Sequence, residues 1–147
     1  LQFFKSNKKG CVMTRFKMSR ITVDQFAILA DSLPEHVSMN MSYRFKYAEN
    51  GRKVAVEVIF TFLNESVKLM TLQLTCEYEI QEEDYKAFIA DKVVTIPKDL
   101  LEYFVVHTIG TARGVMHCKT EGTPFNGIII PPINVSGSIK SDLVIQL

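Results

Sequence analysis

Apolar and polar residues alternate strictly along the middle of the chain, which predicts β-strands with one buried and one solvated face. The longest example covers residues 36–47, where Ser, Asn, Arg and Lys residues separate the apolar ones. Its apolar set is Val37, Met39, Met41, Tyr43, Phe45 and Tyr47. Asn50-Gly51 follows at once and is a strong hairpin signal, so the next strand is expected to return beside this one.

Two further segments, residues 52–63 and 67–80, repeat the alternation. The first places Val54, Val56, Val58, Phe60 and Phe62 on one side. The second does the same with Met70, Leu72, Leu74, Cys76, Tyr78 and Ile80. The polar residues between them predict a solvated opposite face for both strands.

The first predicted strand precedes this region and changes face part of the way along. Phe16 and Met18 share one parity, whereas Ile21 and Val23 share the other. A strand that switches face needs a bulge or break, here expected near Ser19–Arg20. Four strands joined in sequence by short turns predict a four-stranded antiparallel meander.

A long helix is predicted from Pro97 to about Cys118, because proline suits a first turn and Asp99 favours the positive end of the helix dipole. Its apolar residues lie on nearly every side, so one sheet cannot cover them all. The second cover is expected to be the isoleucine run 128–130 or a second subunit. Residues 82–90 are expected to form a short helix or a crossing loop. The predicted fold class is α+β: a sheet with one long helix packed on one face, in an oligomer.

The stretch after the helix has the pattern of an extended arm. Glu121–Pro124 ends the helix, and the apolar run Ile128–Ile130 is closed by Pro131-Pro132. Two adjacent prolines remove two backbone donors and fix φ, which excludes the centre of a sheet. Three consecutive isoleucines must be buried, either in the chain's own fold or in a neighbour.

Composition narrows the function class. The 147 residues are 47% apolar and 22% charged, which fits one globular domain, expected to span 11–147 after a loosely ordered extension at 1–10. A net charge of +1 argues against nucleic acid as the main partner. No apolar run is long enough for a membrane span. Three widely spaced cysteines predict a reducing compartment rather than a disulfide framework.

No catalytic or metal site is predicted. His117 and Cys118 are neighbours, so on a helix their side chains diverge by about 100°, and His107 lies on another face. The cysteines and histidines lack zinc-ligand spacing, and Gly110 and Gly114 lie inside a helix rather than in a phosphate loop. We therefore expect no enzyme, no cofactor and no metal; a Cys–His hydrolase stays open as a remote alternative.

Three short motifs resemble the end of the SecB export-chaperone family: Ala112-Arg113-Gly114, Thr123–Asn126 and Pro131–Asn134. The order of strands, crossover, helix and arm extends the resemblance over residues 12–135. The chain departs from the family at Phe125, where leucine is usual, and in the final segment 136–147, which lacks the pattern of a second helix and an acidic tail.

The resemblance implies an ATP-independent holdase: a cytoplasmic homotetramer, built as a dimer of dimers, that keeps preproteins unfolded. It also implies delivery to the motor ATPase SecA, with Glu77, assisted by Glu79, as the contact candidates. The family's first-strand acids fall on Gln25 and Leu29 here. Two alternatives stay open: a SecB-like chaperone of a toxin–antitoxin system, and a structural oligomer with no client.

Two sets of surface residues follow from these expectations. The arm, the helix end and the crossover 82–96 are expected to line an apolar client groove. The client-binding candidates are Tyr85, Phe88, Ile89, Phe125, Ile128 and Ile130. The subunit-interface candidates are Cys76, Tyr78, Ile80, Val106, Gly110 and Gly114.

Overall fold

An antiparallel sheet of five strands forms the body of the protein in the computed structural model, which describes residues 2–5, 13–48 and 52–147. The strands are β1 (Gln2–Lys5), β2 (Met13–Ile28), β3 (Ser38–Ala48), β4 (Lys53–Asn64) and β5 (Val67–Ile80). Their spatial order is β1-β2-β5-β4-β3. The sheet therefore ends in β1 on one side and in β3 on the other.

The predicted four-strand meander is wrong in two respects. A fifth strand, β1, pairs with the start of β2, with Gln2 opposite Phe16. In addition, β2 pairs with β5 rather than with β3, so of the four predicted strands β3, β4 and β5 alone pair in chain order. The connection 29–37 is long enough to cross the end of the sheet, and the Leu29 amide donates to the Leu69 carbonyl at 2.7 Å.

The predicted break in the first strand is confirmed, because the register of β2 against β5 shifts between Met18 and Arg20. A second shift lies between Val23 and Gln25. The first shift turns Ile21 to the same side of the sheet as Phe16, since Ile21 pairs with Cys76 and Phe16 with Ile80. The turn predicted at Asn50-Gly51 falls outside the described residues.

The long helix, α2 (Lys98–Lys119), packs chiefly over β4 and β5. We call the side of the sheet that carries α2 the inner face and the opposite side the outer face. The ring of Tyr78 stacks on that of Phe104 with centroids 4.2 Å apart, and the Tyr78 hydroxyl donates to the Phe104 carbonyl at 3.0 Å. This stacked and hydrogen-bonded pair fixes the helix on the sheet.

The crossover and the end of the chain meet in a second, smaller sheet. After α1 (Glu82–Lys86), the strands β6 (Ile89–Ala90) and β7 (Val93–Ile96) pair with β8 (Leu143–Gln146). The final segment thus contains a strand. Just before β8, the Asp142 carboxylate accepts the Lys98 amide at 2.9 Å, which satisfies a free donor at the start of α2.

The arm lies along α2, as its prolines suggested. A short 3₁₀ turn, Pro124–Gly127, is followed by irregular backbone. The Arg113 guanidinium donates to the carbonyls of Ile130 at 2.5 Å and Pro131 at 3.0 Å, so the arm is held by a helix side chain. Two side chains of the arm itself, Phe125 and Ile130, are fully buried.

Candidate functional site

Half of the predicted client-binding residues are interior residues. Phe125 and Ile130 have no exposed surface, and Tyr85 is 7% exposed. The prediction that these three bind clients is corrected, because their side chains complete the chain's own core. Phe88, Ile89 and Ile128 are half-buried at the surface, and Ile129, which was not predicted, is 57% exposed.

The structure does not bring the predicted groove together in one pocket. The Asn126 amide donates to the His117 carbonyl at 2.9 Å, so Phe125 lies at the end of α2. The Thr95 amide donates to the Phe88 carbonyl at 2.9 Å, so Phe88 lies near its start. The helix has 22 residues and is about 33 Å long, so the two phenylalanines lie at opposite ends of it.

The inner face of β3 carries a further set of partly exposed apolar residues. We use the name β3 stripe for the half-buried inner-face residues of this strand, which are Met39, Met41, Tyr43, Phe45 and Tyr47. The segment that follows the arm borders it where the Tyr43 and Ser138 hydroxyls lie 2.8 Å apart, and the crossover borders it where the Tyr47 and Tyr85 hydroxyls pair. The stripe is therefore an apolar strip between two flanking segments.

The β3 stripe has the chemistry of a surface that accepts varied apolar chains. Methionine is flexible and polarisable, and tyrosine offers an apolar ring with a polar tip. From Met39 to Tyr47 the strip is about 26 Å long at ~3.3 Å per residue, which fits an extended segment. Because β3 is the last strand of the sheet, one side of its backbone has no neighbouring strand, and this edge runs along the stripe. Sequence reasoning assigned these residues to the buried face and missed their exposure.

The SecA-contact candidates lie on the outer face, next to cations of the same chain. Glu77 pairs with Arg20 at 3.5 Å. Glu79 pairs with Lys17 and Arg52, each at 3.5 Å. The two carboxylates share a face, as alternation predicted, but their charges are balanced within the chain.

Three of the subunit-interface candidates are also interior residues. Cys76, Tyr78 and Ile80 have no exposed surface, because they form the inner face of β5 beneath α2. The prediction that they meet a second subunit is corrected for that reason. Burial raises the pKa of the Cys76 thiol and that of the Tyr78 hydroxyl, which keeps both groups neutral.

The remaining interface candidates lie on the free side of α2. Val106 is 49% exposed, and a methyl group added at Gly114 would meet nothing within 4 Å. A methyl group at Gly110 would meet only the Arg113 side chain, at 3.8 Å. Beside the helix, β2 extends the inner face with Ile21 and Val23, which are 52% and 38% exposed. Sequence reasoning did not assign these two residues to an interface.

In the part of the chain that the structure describes, residues suited to catalysis or metal binding do not assemble into a site. His117 and Cys118 are both exposed on the last turn of α2. The Nε2 atom of His107 is buried without a hydrogen-bond partner, its ring packs edge-on against Tyr103, and burial lowers its pKa. Across residues 2–5, 13–48 and 52–147, no three His, Cys, Asp or Glu side chains are grouped to hold a metal ion.

The same described residues include no helix with the length and hydropathy needed to cross a membrane.

The chain matches no family model and no curated protein. Among solved structures it is similar to the SecB-like chaperone Rv1957 of Mycobacterium tuberculosis, in complex with a ChAD peptide from the Rv1956 HigA1 antitoxin. The TM-score is 0.51 at 11% identity, over 81% of this chain and 91% of that one. The chain therefore has the fold of a SecB-like chaperone.

Proposed function

We propose that this protein is an ATP-independent chaperone that binds non-native polypeptide along the β3 stripe. The observation that carries the proposal is the partial exposure of the stripe on an edge strand, bordered by the crossover and by the segment that follows the arm. Phe88 and Ile89 on the crossover and Ile128 and Ile129 on the arm are further apolar residues with exposed surface. The likeness in fold to a SecB-like chaperone supports the same function.

The energetics of such a surface suit transient holding. Burying about 400 Å² of apolar surface contributes on the order of 10 kcal/mol gross at about 25 cal/mol/Å². Ordering an unfolded client and restricting its motion offset most of that gain, so each site binds weakly. Several stripes in one oligomer then raise the overall affinity by avidity, without ATP and without sequence specificity.

The client class has two candidates. Preproteins awaiting export are the first, from the resemblance to the SecB family. An antitoxin is the second, and the observation that favours it is the antitoxin peptide in the similar Rv1957 complex. Binding of the isolated antitoxin encoded nearest to this protein's gene, compared with a slow-folding preprotein, distinguishes the two.

Delivery of clients to SecA is a finer proposal that depends on the outer face. Glu77 and Glu79 are its candidate contacts, and both are paired with cations of the same chain. Exposed charge contacts weaken with salt, so SecA binding through them would fall as ionic strength rises. Equal SecA binding by wild-type protein and Glu77→Lys would exclude this surface as the contact.

We further propose that the protein assembles as a homotetramer, built as a dimer of dimers. The exposed Val106 side chain, the open space at Gly114 and the exposed Ile21 and Val23 supply apolar surface for a second subunit. Light scattering of wild-type protein should show an oligomer at micromolar concentration, and Ile21→Glu combined with Val106→Glu should dissociate it. A wild-type monomer would contradict this proposal while leaving the single-chain client site in place.

We place this activity in the cytoplasm, where a buried thiol at Cys76 and an exposed one at Cys118 stay reduced. The proposed holding of clients needs no catalytic group. Alkylation of Cys118 should therefore leave client binding unchanged, whereas a Cys–His hydrolase would lose its activity. A structural oligomer with no client would fail to suppress aggregation, whether or not Cys118 is alkylated.

The test is an aggregation-suppression assay with a slow-folding protein. Met41→Ser combined with Phe45→Ser should abolish most of the suppression, because both changes lie in the β3 stripe. The matched control combines Val67→Ser with Leu33→Ser, two exposed apolar residues away from the stripe. Circular dichroism must first show that both variants are folded. Equal suppression by both variants would overturn the proposed client site.

A further inference from the structure

The backbone of β3 directs its hydrogen-bonding groups to two sides. In an antiparallel sheet, the N–H and C=O of one residue point to the same side of the strand, and successive residues alternate between sides. The Ile80 amide donates to the Arg52 carbonyl at 3.0 Å, so even-numbered residues of β4 face β5 and odd-numbered ones face β3. Odd-numbered β4 residues pair with even-numbered β3 residues, as Glu57 does with Arg44. The odd-numbered residues of β3 therefore point their backbone groups away from the sheet.

The residues that face away belong to the β3 stripe. Met39, Met41, Tyr43 and Phe45 each offer one N–H and one C=O along the free edge. Within residues 2–5, 13–48 and 52–147, no backbone or side-chain group is hydrogen-bonded to these N–H and C=O groups. The register of β3 against β4 has no shift, so the row is unbroken from Met39 to Phe45. Such an edge is a template on which another extended chain can pair.

The same residues offer apolar side chains beside these backbone groups. Their side chains lie on the inner face and are half-buried. In antiparallel pairing, directly opposite residues place their side chains on the same face, in contact with each other. A client residue that is hydrogen-bonded to Met41 would therefore also place its side chain beside the Met41 side chain. The edge thus favours a client segment with an apolar residue at every second position.

The charges on the outer face of β3 favour a client over a second copy of this chain at the edge. The charged side chains there are Arg44 and Lys46, which are 63% and 54% exposed, and Glu57 on β4 already pairs with both. Residues 38–48 contain no Asp or Glu, so a second β3 would bring two more cations to the same seam without a carboxylate. Like charges on paired strands are destabilising, whereas an uncharged client segment brings no such repulsion.

We propose that a client segment adds to the free edge of β3 as an antiparallel strand, with its apolar side chains on the β3 stripe. The inference rests on the proposed function and adds the class of client segment. That class is an extended segment in which apolar and polar residues alternate. Backbone hydrogen bonds are the same for every sequence, so strand addition supplies affinity while the exact side chains vary.

The test uses two N-methylated forms of one fluorescently labelled peptide in which valine alternates with serine. In the proposed complex the valine N–H groups bond to β3 and the serine N–H groups point away from it. Methylation at the valines should therefore weaken binding at least tenfold by fluorescence anisotropy. Methylation at an equal number of serines is the matched control, because it keeps every side chain, and this form should bind as the unmodified peptide does.

A pair of variants at position 43 tests the same edge from the side of the protein. Tyr43→Pro removes the side chain and the N–H on the free edge, but no hydrogen bond to β4, and proline is tolerated at such a position. Tyr43→Ala removes the side chain and keeps the N–H. We expect Tyr43→Pro to bind the unmodified peptide at least fivefold more weakly than Tyr43→Ala does, with circular dichroism as the check on folding. The methylated peptides decide the question even if Tyr43→Pro does not fold.

Four results would overturn the inference: no saturable binding of the unmodified peptide, serine methylation that weakens binding as much as valine methylation, equal binding by the two folded variants, or release of subunits from an oligomer as the peptide binds. The last would assign the edge to a second copy of the chain. Loss of aggregation suppression in Met41→Ser with Phe45→Ser, together with equal binding of both methylated peptides, would overturn strand addition and leave the proposed function in place. Unchanged suppression in that double variant would overturn the proposed function itself.

Discussion

The adjacent strands β3 and β4 have the same alternating pattern and opposite environments. Met41 pairs with Phe60 and Phe45 with Val56, so each pair lies side by side on the inner face. The β4 residues have no exposed surface, whereas their β3 partners are only half-buried. Alternation therefore determines which way a side chain points, and the position of the strand in the sheet determines how well it is covered. The helix covers the central strands and leaves the edge strand partly free.

The largest difference between the two strands should appear in stability. Phe60→Ala should lower the free energy of unfolding by roughly 3–5 kcal/mol, because it leaves a cavity in a fully buried core. Met41→Ala should lower it by about 1 kcal/mol, since that side chain is only partly buried. Urea denaturation of both variants checks this. A loss below about 1 kcal/mol for Phe60→Ala would mean that the inner face is wrongly assigned.

A smaller effect is expected where the helix meets β5. Tyr78→Phe removes a buried hydroxyl that donates to the Phe104 carbonyl at 3.0 Å and lies 2.9 Å from the Thr108 hydroxyl. The free energy of unfolding should fall by about 1–2 kcal/mol, because the ring stacking remains and only the hydrogen bonds are lost. Denaturation of this variant at neutral pH is the measurement. An unchanged midpoint would show that water replaces the hydroxyl.

The outer face should respond to pH through Glu57. Burial alone would raise the pKa of this carboxyl, but hydrogen bonds from Arg44, Lys46 and Gln73 outweigh burial and hold the pKa below its ordinary 4.5. Such a carboxylate stabilises the fold above pH 4.5, and this contribution is lost as pH falls from 4.5 through the lowered pKa. Wild-type stability should therefore fall more steeply in that window than the stability of Glu57→Gln. Identical acid profiles would contradict this contribution.

The smallest expected effect concerns His107 on α2. Burial lowers the pKa of this imidazole below its ordinary 6.5, so the folded protein prefers the neutral ring. The unfolded chain takes up a proton first as pH falls below 6.5, and stability declines until the lowered pKa is reached. His107→Gln should flatten the stability profile between pH 6.5 and the lowered pKa. Denaturation at matched ionic strength across that range is the measurement.

Local pattern predicted the strands β2 to β5, the long helix and the break near Ser19–Arg20, because each depends on residues close together in sequence. It did not predict that β2 lies beside β5, because alternation contains no information on which strands pair. The same limit explains the error at β3, whose partial exposure follows from its place at the edge of the sheet. Asp142 likewise caps α2 from far along the chain, a contact that no local pattern marks.

The sequence identified apolar segments that could contact a client, but it did not show which of their side chains face solvent. The apolar arm and crossover were identified, but Phe125 and Ile130 turned out to fill the core, since the arm must bury its own apolar residues to remain on α2. The pairing of Glu77 with Arg20 depends on β2 and β5 being neighbours, so this charge balance on the outer face could not be predicted from the sequence either.

The most direct test of the β3 stripe is site-specific photo-crosslinking to an unfolded client. A photoreactive phenylalanine derivative replaces Phe45 in one sample and Ile59 in another. Both residues are half-buried and lie on adjacent strands, but on the inner and outer face respectively. We expect the client to crosslink from position 45 and not from position 59. Crosslinking from position 59 alone would contradict the assignment of the client site to the inner face.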